Sequence, residues 1–173
     1  MVPVIPPILT GCPLPYTTMY DCKRLMNSKQ HITVLFIDGY HQDRRSWAEG
    51  FQTSSPKSIV LEADSGAAGL AVCQSRPVDC VVVELSLPDM SGFQVLVNLV
   101  PSGHKPTVAV ILFTRLPLLQ MAELAKTIGA QAFLLKSDTS SDQLQMAVRN
   151  SIAKLTASAP QPPSRGALWP LVQ

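Results

Sequence analysis

Five short, largely apolar runs recur along the middle of the chain, and most of them end at a polar residue. The runs are Ile32–Ile37, Ser58–Leu61, Asp79–Glu84, Val108–Phe113 and Ala132–Leu135. Runs of this length that are rich in Val, Ile and Leu are typical of strands buried on both faces of a parallel sheet. The pattern therefore predicts five strands.

Segments with the helical spacing of apolar residues follow each of these runs. The predicted helices span 43–51, 65–74, 91–100, 117–128 and 140–155. Ser65 and Ser91 are typical capping residues, and Ser140 with Gln143 has the spacing of a capping box. Gly129 fits the position just after a helix end.

The faces of two helices follow from the same spacing. In the second helix we expect Ala67, Leu70 and Ala71 to face inward, while Gly66 and Gly69 either weaken the helix or permit close packing against the sheet. In the third helix the predicted apolar face is formed by Phe93, Leu96, Val97 and Val100. Arg44 and Arg45 are expected on an exposed face of the first helix.

Strands that alternate with helices predict right-handed crossovers and a doubly wound parallel α/β sheet. The expected domain spans 31–156. A Pro-rich N-terminal extension, residues 1–30, precedes it, and within this extension Thr18–Lys29 has the spacing of one short helix. Residues 157–173 are expected to form a Pro-rich tail or linker.

Composition excludes several classes of function. The net charge of +2 does not indicate attraction to nucleic acid or to a membrane surface. No apolar run is long enough to span a membrane, and the first residues lack the basic region of a signal peptide. The four cysteines form no CxxC pair, so a reducing, cytoplasmic location is expected.

Four of the five predicted strands deliver a polar side chain at the same edge of the sheet. These residues are Asp38, Glu84, Thr114 and Lys136. Ligands of open α/β sheets collect beyond the carboxyl ends of the strands. Two carboxylates, a hydroxyl and an ammonium group that converge there are typical of a phosphoryl-transfer pocket, because acids hold Mg²⁺ and the other two groups bind phosphoryl oxygens.

The order and spacing of these residues resemble the receiver domain of bacterial two-component response regulators. The resemblance covers about 32–155 and rests on Leu35–Asp38, Glu84–Gly92, Ile111–Thr114 and Gly129–Lys136. It implies a flavodoxin-like fold with strand order 2-1-3-4-5. It also implies that Glu84 occupies the phosphoacceptor position, that Thr114 and Lys136 occupy phosphoryl-contact positions, and that Phe133 occupies the aromatic switch position.

The departures from the family pattern predict a loss of its chemistry. Gly39 replaces the second acid of the first strand, and Glu84 replaces the phosphoacceptor aspartate. The additional methylene moves the carboxylate outward by about 1.5 Å, a large error for in-line transfer. Arg115 replaces a small residue and is expected to roof the pocket, and Ser137 replaces a proline. Asp38 is then an acidic remnant, and Mg²⁺ binding is expected to be lost or weak.

The resulting hypothesis is a degenerate receiver, or pseudo-receiver, that is not an enzyme and acts by binding a signalling protein or a second copy of itself. By resemblance the contact is placed on the fourth helix, fifth strand and fifth helix, at Leu118–Lys126 and Phe133–Asn150. Glu84 could pair with Lys136 or Arg115 for stability alone, imitate a phosphorylated aspartate, or line an unused pocket. A phosphorylatable receiver and a flavodoxin-like small-molecule sensor are the alternative functions.

Overall fold

The computed structural model describes residues 31–100, 106–117 and 119–157, which form an alternating series of strands and helices. The strands are β1 (Thr33–Ile37), β2 (Ile59–Ala63), β3 (Cys80–Val83), β4 (Ala109–Thr114) and β5 (Ala132–Leu135). The helices are α1 (His41–Ser54), α2 (Gly66–Ser75), α3 (Gly92–Leu99), α4 (Leu119–Ile128) and α5 (Ser141–Ala157), with a 3₁₀ turn at Lys136–Asp138. The strands pair in parallel in the order β2-β1-β3-β4-β5, so the predicted fold class is confirmed.

Alternate side chains of the central strands enter two apolar layers on opposite faces of the sheet. On one face, Leu35 and Ile37 of β1 pack with residues of α2, α3 and α4. On the other face, Val34 and Phe36 pack with residues of α1 and α5. Because both faces are covered, β3 and β4 are buried along their whole length, as their continuous apolar runs predict.

The helix ends follow the capping residues of the sequence. The Ser91 hydroxyl accepts from Gln94 N and the Gln94 side chain accepts from Ser91 N, which forms a capping box. Ser140 and Gln143 make the same pair of bonds before α5. Gly129 has a φ of +123°, the conformation that permits glycine to end α4.

The inward face of α2 differs from the predicted one. Ala67 and Ala71 are exposed, whereas Gly66 and Gly69 are buried. A Cβ atom at Gly69 would lie 2.2 Å from Ile37 Cδ1, so a larger residue there would force the Ile37 side chain or the helix to shift. The glycines therefore permit close packing, and the alanines take the solvent side.

Two further predictions about helix faces are wrong. Val97 is 51% exposed, because Val95 and Leu96 already fill the buried face of α3. Arg44 is buried rather than exposed, because its guanidinium group finds two acceptors beneath α1.

Some predictions lie outside the described residues: the Pro-rich extension with its short helix, the tail beyond residue 157, and Leu118. Within the described part of the chain, no helix is long and apolar enough to cross a membrane.

Candidate functional site

The predicted site residues lie where the strands end. Asp38 and Glu84 directly follow β1 and β3, whose last residues, Ile37 and Val83, are partners in the parallel register. Thr114 is the last residue of β4, and Lys136 directly follows β5. The parallel sheet thus brings these four residues to one edge, as expected for carboxyl ends of parallel strands.

Lys136 lies between the two carboxylates that the sequence placed at this edge. Its Nζ atom is 2.6 Å from Asp38 Oδ2 and 2.7 Å from Glu84 Oε2. The three side chains are 5–7% exposed. Burial opposes the positive charge, but hydrogen bonds to Asp38 and Glu84 outweigh it, so the pKa of Lys136 is raised above its ordinary value. The ammonium group therefore stays charged and ties the ends of β1, β3 and β5 together.

The second carboxylate oxygens of Asp38 and Glu84 accept hydrogen bonds from the backbone. Asp38 Oδ1 accepts from the backbone N–H of Tyr40 at 2.8 Å. Glu84 Oε1 accepts from the backbone N–H of Leu85 at 2.7 Å and from Ser86 N at 3.4 Å. The longer side chain of Glu84 folds back toward its own loop while its other oxygen meets Lys136.

A third carboxylate, Asp43, joins the site from the first turn of α1. Its Oδ2 atom is 3.3 Å from Lys136 Nζ, and its Oδ1 atom pairs with the guanidinium group of Arg115. Burial alone would raise the pKa of Asp43, but the hydrogen bond from Arg115 and the charge of Lys136 lower it below its ordinary value. Sequence reasoning missed Asp43, although an acid in the first turn after β1 was the available signal.

Arg115 lies beside the site, where it contacts Asp43 and Tyr40. Its guanidinium carbon is 5.0 Å from the centre of the Tyr40 ring, within the range of a cation–π contact. Its guanidinium group pairs with Asp43, and no ion pair with Glu84 is found among the described residues. The role of Arg115 as the roof of the pocket stays a prediction.

Thr114 and Phe133 lie beside this cluster. The Thr114 hydroxyl is fully buried and accepts from the backbone N–H of Leu116 at 3.2 Å, so it caps the turn after β4. Phe133 is half-buried and packs against the core face formed by α2, α3 and α4. Phe113 lies beside the site, with its ring centre 5.8 Å from Lys136 Nζ, and sequence reasoning did not select it.

Comparison with known proteins shows which family has this architecture. A family model described as the response regulator receiver domain matches residues 24–149. The chain belongs to this family. Receiver domains generally act as signalling modules that interact with other signalling proteins, not as enzymes.

Curated relatives of this receiver domain are transcriptional regulatory proteins by name. The chain is 32% identical over 117 residues to the transcriptional regulatory protein UhpA of Escherichia coli (strain K12), which covers 68% of the chain and 57% of that protein. It is 28% identical over 111 residues to the uncharacterized transcriptional regulatory protein YhcZ of Bacillus subtilis (strain 168). This match covers 64% of the chain and 50% of that protein. The chain spans about half the length of the curated relatives it matches.

Solved receiver domains share the fold. A response regulator receiver domain protein from Clostridium thermocellum is 25% identical with a TM-score of 0.65, and the match covers 73% of this chain and 98% of that one. The signal receiver domain of the putative response regulator NarL from Mycobacterium tuberculosis is 24% identical with a TM-score of 0.63, and the match covers 71% of this chain and 97% of that one. Both matches therefore include nearly the whole of the solved receiver domain and a part of this chain.

The receiver family implies Mg²⁺, and the carboxylates at this edge that could hold it are paired with Lys136. An ammonium group lies between the oxygens of Asp38 and Glu84, where a cation would otherwise be held. Gly39 offers no side-chain ligand, and a Cβ atom there would lie 2.9 Å from Pro88 Cδ. Among the described residues, no group of three His, Cys, Asp or Glu side chains is arranged to hold a metal ion.

Proposed function

We propose that this receiver domain signals by protein contact and does not accept a phosphoryl group, which makes it a pseudo-receiver. The observation that carries the proposal is the position of Lys136 Nζ, which is shared by Asp38 and Glu84 at 2.6 and 2.7 Å. The ammonium group of Lys136 and both carboxylates are thereby engaged with each other. The arrangement supports a fixed conformation of the strand ends.

The geometry of Glu84 supports the absence of phosphoryl transfer. A carboxylate nucleophile needs an oxygen that is free to attack in line with the leaving group. One oxygen of Glu84 meets Lys136 and the other accepts from Leu85 N at 2.7 Å.

The same geometry supports weak Mg²⁺ binding. A cation would have to displace Lys136 from two buried carboxylates without gaining a ligand from Gly39. Mg²⁺ demands near-ideal octahedral coordination by oxygen atoms, and the carboxylates of Asp38, Glu84 and Asp43 are already paired with basic side chains. We therefore expect no saturable change in Trp47 fluorescence on titration with Mg²⁺; Trp47 and Glu84 line the same small cavity. A saturable transition at sub-millimolar concentration would contradict this part of the proposal.

The cavity beneath the site argues against a small-molecule sensor at this edge. It is lined by Phe36, Ile37, Asp38, Arg44, Trp47, Val82, Glu84 and Phe113, and its volume is about 10 Å³. Sites for small organic ligands enclose roughly 300–1,000 Å³. A cavity of this size holds at most about one water molecule.

The surface of α4, β5 and α5 carries the proposed protein contact. All four residues of β5 are half-buried, although every residue of the neighbouring β4 is buried. Leu124 of α4 is 47% exposed. Partly exposed apolar side chains on an edge strand and the adjacent helix are suited to a protein partner. The proposed occupant is a signalling protein or a second copy of the chain.

Incubation with acetyl phosphate and Mg²⁺, followed by intact mass spectrometry, tests the central proposal. We expect no phosphate adduct on the full chain under conditions in which a receiver with both acids is modified. An adduct that maps to Glu84 would establish a phosphorylatable receiver and overturn the proposal.

Paired substitutions test the proposed surface. Leu124→Glu lies on α4, whereas Val97→Glu lies on α3, and the two native side chains are similarly exposed, at 47% and 51%. If the chain forms a homodimer through α4, sedimentation velocity will show self-association that Leu124→Glu removes and Val97→Glu retains. Equal loss in both variants would contradict the assignment to α4, and a monomer at all concentrations would leave only a different protein as the partner.

A further inference from the structure

Arg44 is a buried cation beside the site that the sequence placed on an exposed helix face. It lies in α1, and its side chain is 10% exposed. The Nη1 atom donates to the backbone carbonyl of Asp38 at 2.6 Å, and Nε donates to Glu62 Oε2 of β2 at 3.2 Å. One guanidinium group thus joins the end of β1 to the edge strand β2.

Asp38 is held at four separate atoms. Its backbone N–H donates to the Ala63 carbonyl, Oδ1 accepts from Tyr40 N, Oδ2 accepts from Lys136 Nζ, and the carbonyl oxygen accepts from Arg44. Among the described residues, only Arg44 contacts the backbone of Asp38 through a side chain. Arg44 thus adds to the sheet hydrogen bond in fixing the direction from which Asp38 approaches Lys136.

Arg44 also adds positive charge beside the buried cluster. It borders the same small cavity as Asp38 and Glu84. Its own carboxylate partner is Glu62, whereas Lys136 pairs with Asp38 and Glu84. Buried charges are retained where they are paired and hydrogen-bonded, and both cations meet that condition.

We propose that Arg44 is the positioning residue of the site, which sets Asp38 so that Lys136 binds Asp38 and Glu84 together. This inference rests on the proposed function, since it explains how the strand ends are held in one conformation. The role requires a planar fork, because a guanidinium group reaches two acceptors in different directions. A lysine at this position supplies the charge, but it has a single nitrogen in place of the Nη1 and Nε atoms that meet the two acceptors.

Hydrogen exchange of the Lys136 ammonium protons, followed by NMR on the ¹⁵N-labelled full chain, tests this role. In the wild-type protein the Lys136 Nζ signal should be visible and its protons should exchange slowly, because they are hydrogen-bonded and buried. In Arg44→Met the exchange should become about tenfold faster, since one of the three charge-assisted hydrogen bonds of Lys136 weakens. Arg45→Met is the matched control: Arg45 is adjacent in sequence and 60% exposed, and it should leave exchange unchanged.

Arg44→Lys separates charge from geometry and keeps the test valid if Arg44→Met does not fold. It should exchange as fast as Arg44→Met although its charge is retained, and wild-type exchange in Arg44→Lys would overturn the positioning role. Slow exchange in both the wild-type protein and Arg44→Met would overturn the role of Arg44 but leave the proposed function standing. Fast exchange in the wild-type protein would overturn both the role of Arg44 and the proposed fixed conformation of the strand ends.

Discussion

Lys136 and Glu84 form a buried ion pair whose residues come from strands that do not pair with each other. Lys136 follows β5 and Glu84 follows β3, with β4 between them, and Nζ is 2.7 Å from Oε2. The lysine side chain passes Phe113 of β4 and also reaches Asp38 after β1. One side chain thereby connects three strand ends across the sheet.

This relationship predicts strong coupling between Lys136 and Glu84. Lys136→Met should destabilise the fold by about 3 kcal/mol, because it leaves two buried carboxylates without their counter-ion. Glu84→Gln should cost less, since Asp38 still pairs with Lys136 and the amide can accept a hydrogen bond. The double variant should recover part of the loss. Urea unfolding of all four proteins gives the coupling energy, and a value below about 0.5 kcal/mol would mean that the pair does not act as a unit.

The proposed absence of phosphoryl transfer predicts that substitutions at residues 39 and 84 can introduce it. Glu84→Asp alone should remain unmodified by acetyl phosphate with Mg²⁺, because Gly39 still offers no ligand. Gly39→Asp combined with Glu84→Asp should become phosphorylated, provided that Pro88 shifts to admit the new Cβ, which would otherwise lie 2.9 Å from Pro88 Cδ. Intact mass spectrometry measures the adduct, and Gly39→Asn with Glu84→Asn is the control. Modification of Glu84→Asp alone would show that the second acid is dispensable.

The close contact between α2 and β1 predicts a cost for the smallest enlargement of Gly69. Gly69→Ala places a methyl group 2.2 Å from Ile37 Cδ1 and should destabilise the domain by about 1–3 kcal/mol through overpacking. Ala71→Ser, on the exposed side of the same helix, should change stability by less than about 0.5 kcal/mol. Thermal or urea unfolding compares the two variants. Equal effects would show that α2 can move away from the sheet.

The hydrogen bonds of Asp89, which lies outside the site, predict that stability depends on pH. Its carboxylate accepts from the backbone N–H groups of Ala67 and Gly66, each at 2.8 Å, and these bonds lower the pKa of Asp89 below the unfolded value of 3.8. The stability that the ionised Asp89 carboxylate provides is therefore fully present above pH 3.8, and it is lost as pH falls through the lower pKa of the folded state. Asp89→Asn should be less stable than wild type near neutral pH, and the difference should shrink in acid. Urea unfolding as a function of pH measures it, and a difference independent of pH would contradict the assignment.

The sequence alone determined the fold and the place of the site. Hydrophobic runs, helical spacing and capping residues are local signals, so they predicted five strands and five helices close to their observed bounds. The carboxyl ends of parallel strands share one edge, and this rule alone brought Asp38, Glu84 and Lys136 together. The family resemblance added the strand order, which local periodicity does not contain.

Only the tertiary structure decided which groups bind each other at that edge. Asp38 and Lys136 are 98 residues apart, and their pairing depends on side-chain reach across the sheet. Asp43 and Arg44 joined the site because α1 lies over the ends of β1 and β2, a placement that no local pattern specifies. The inward face of α2 was set in the same way, by how closely two backbones approach, because glycine leaves no hydrophobic signal at the positions where contact is closest.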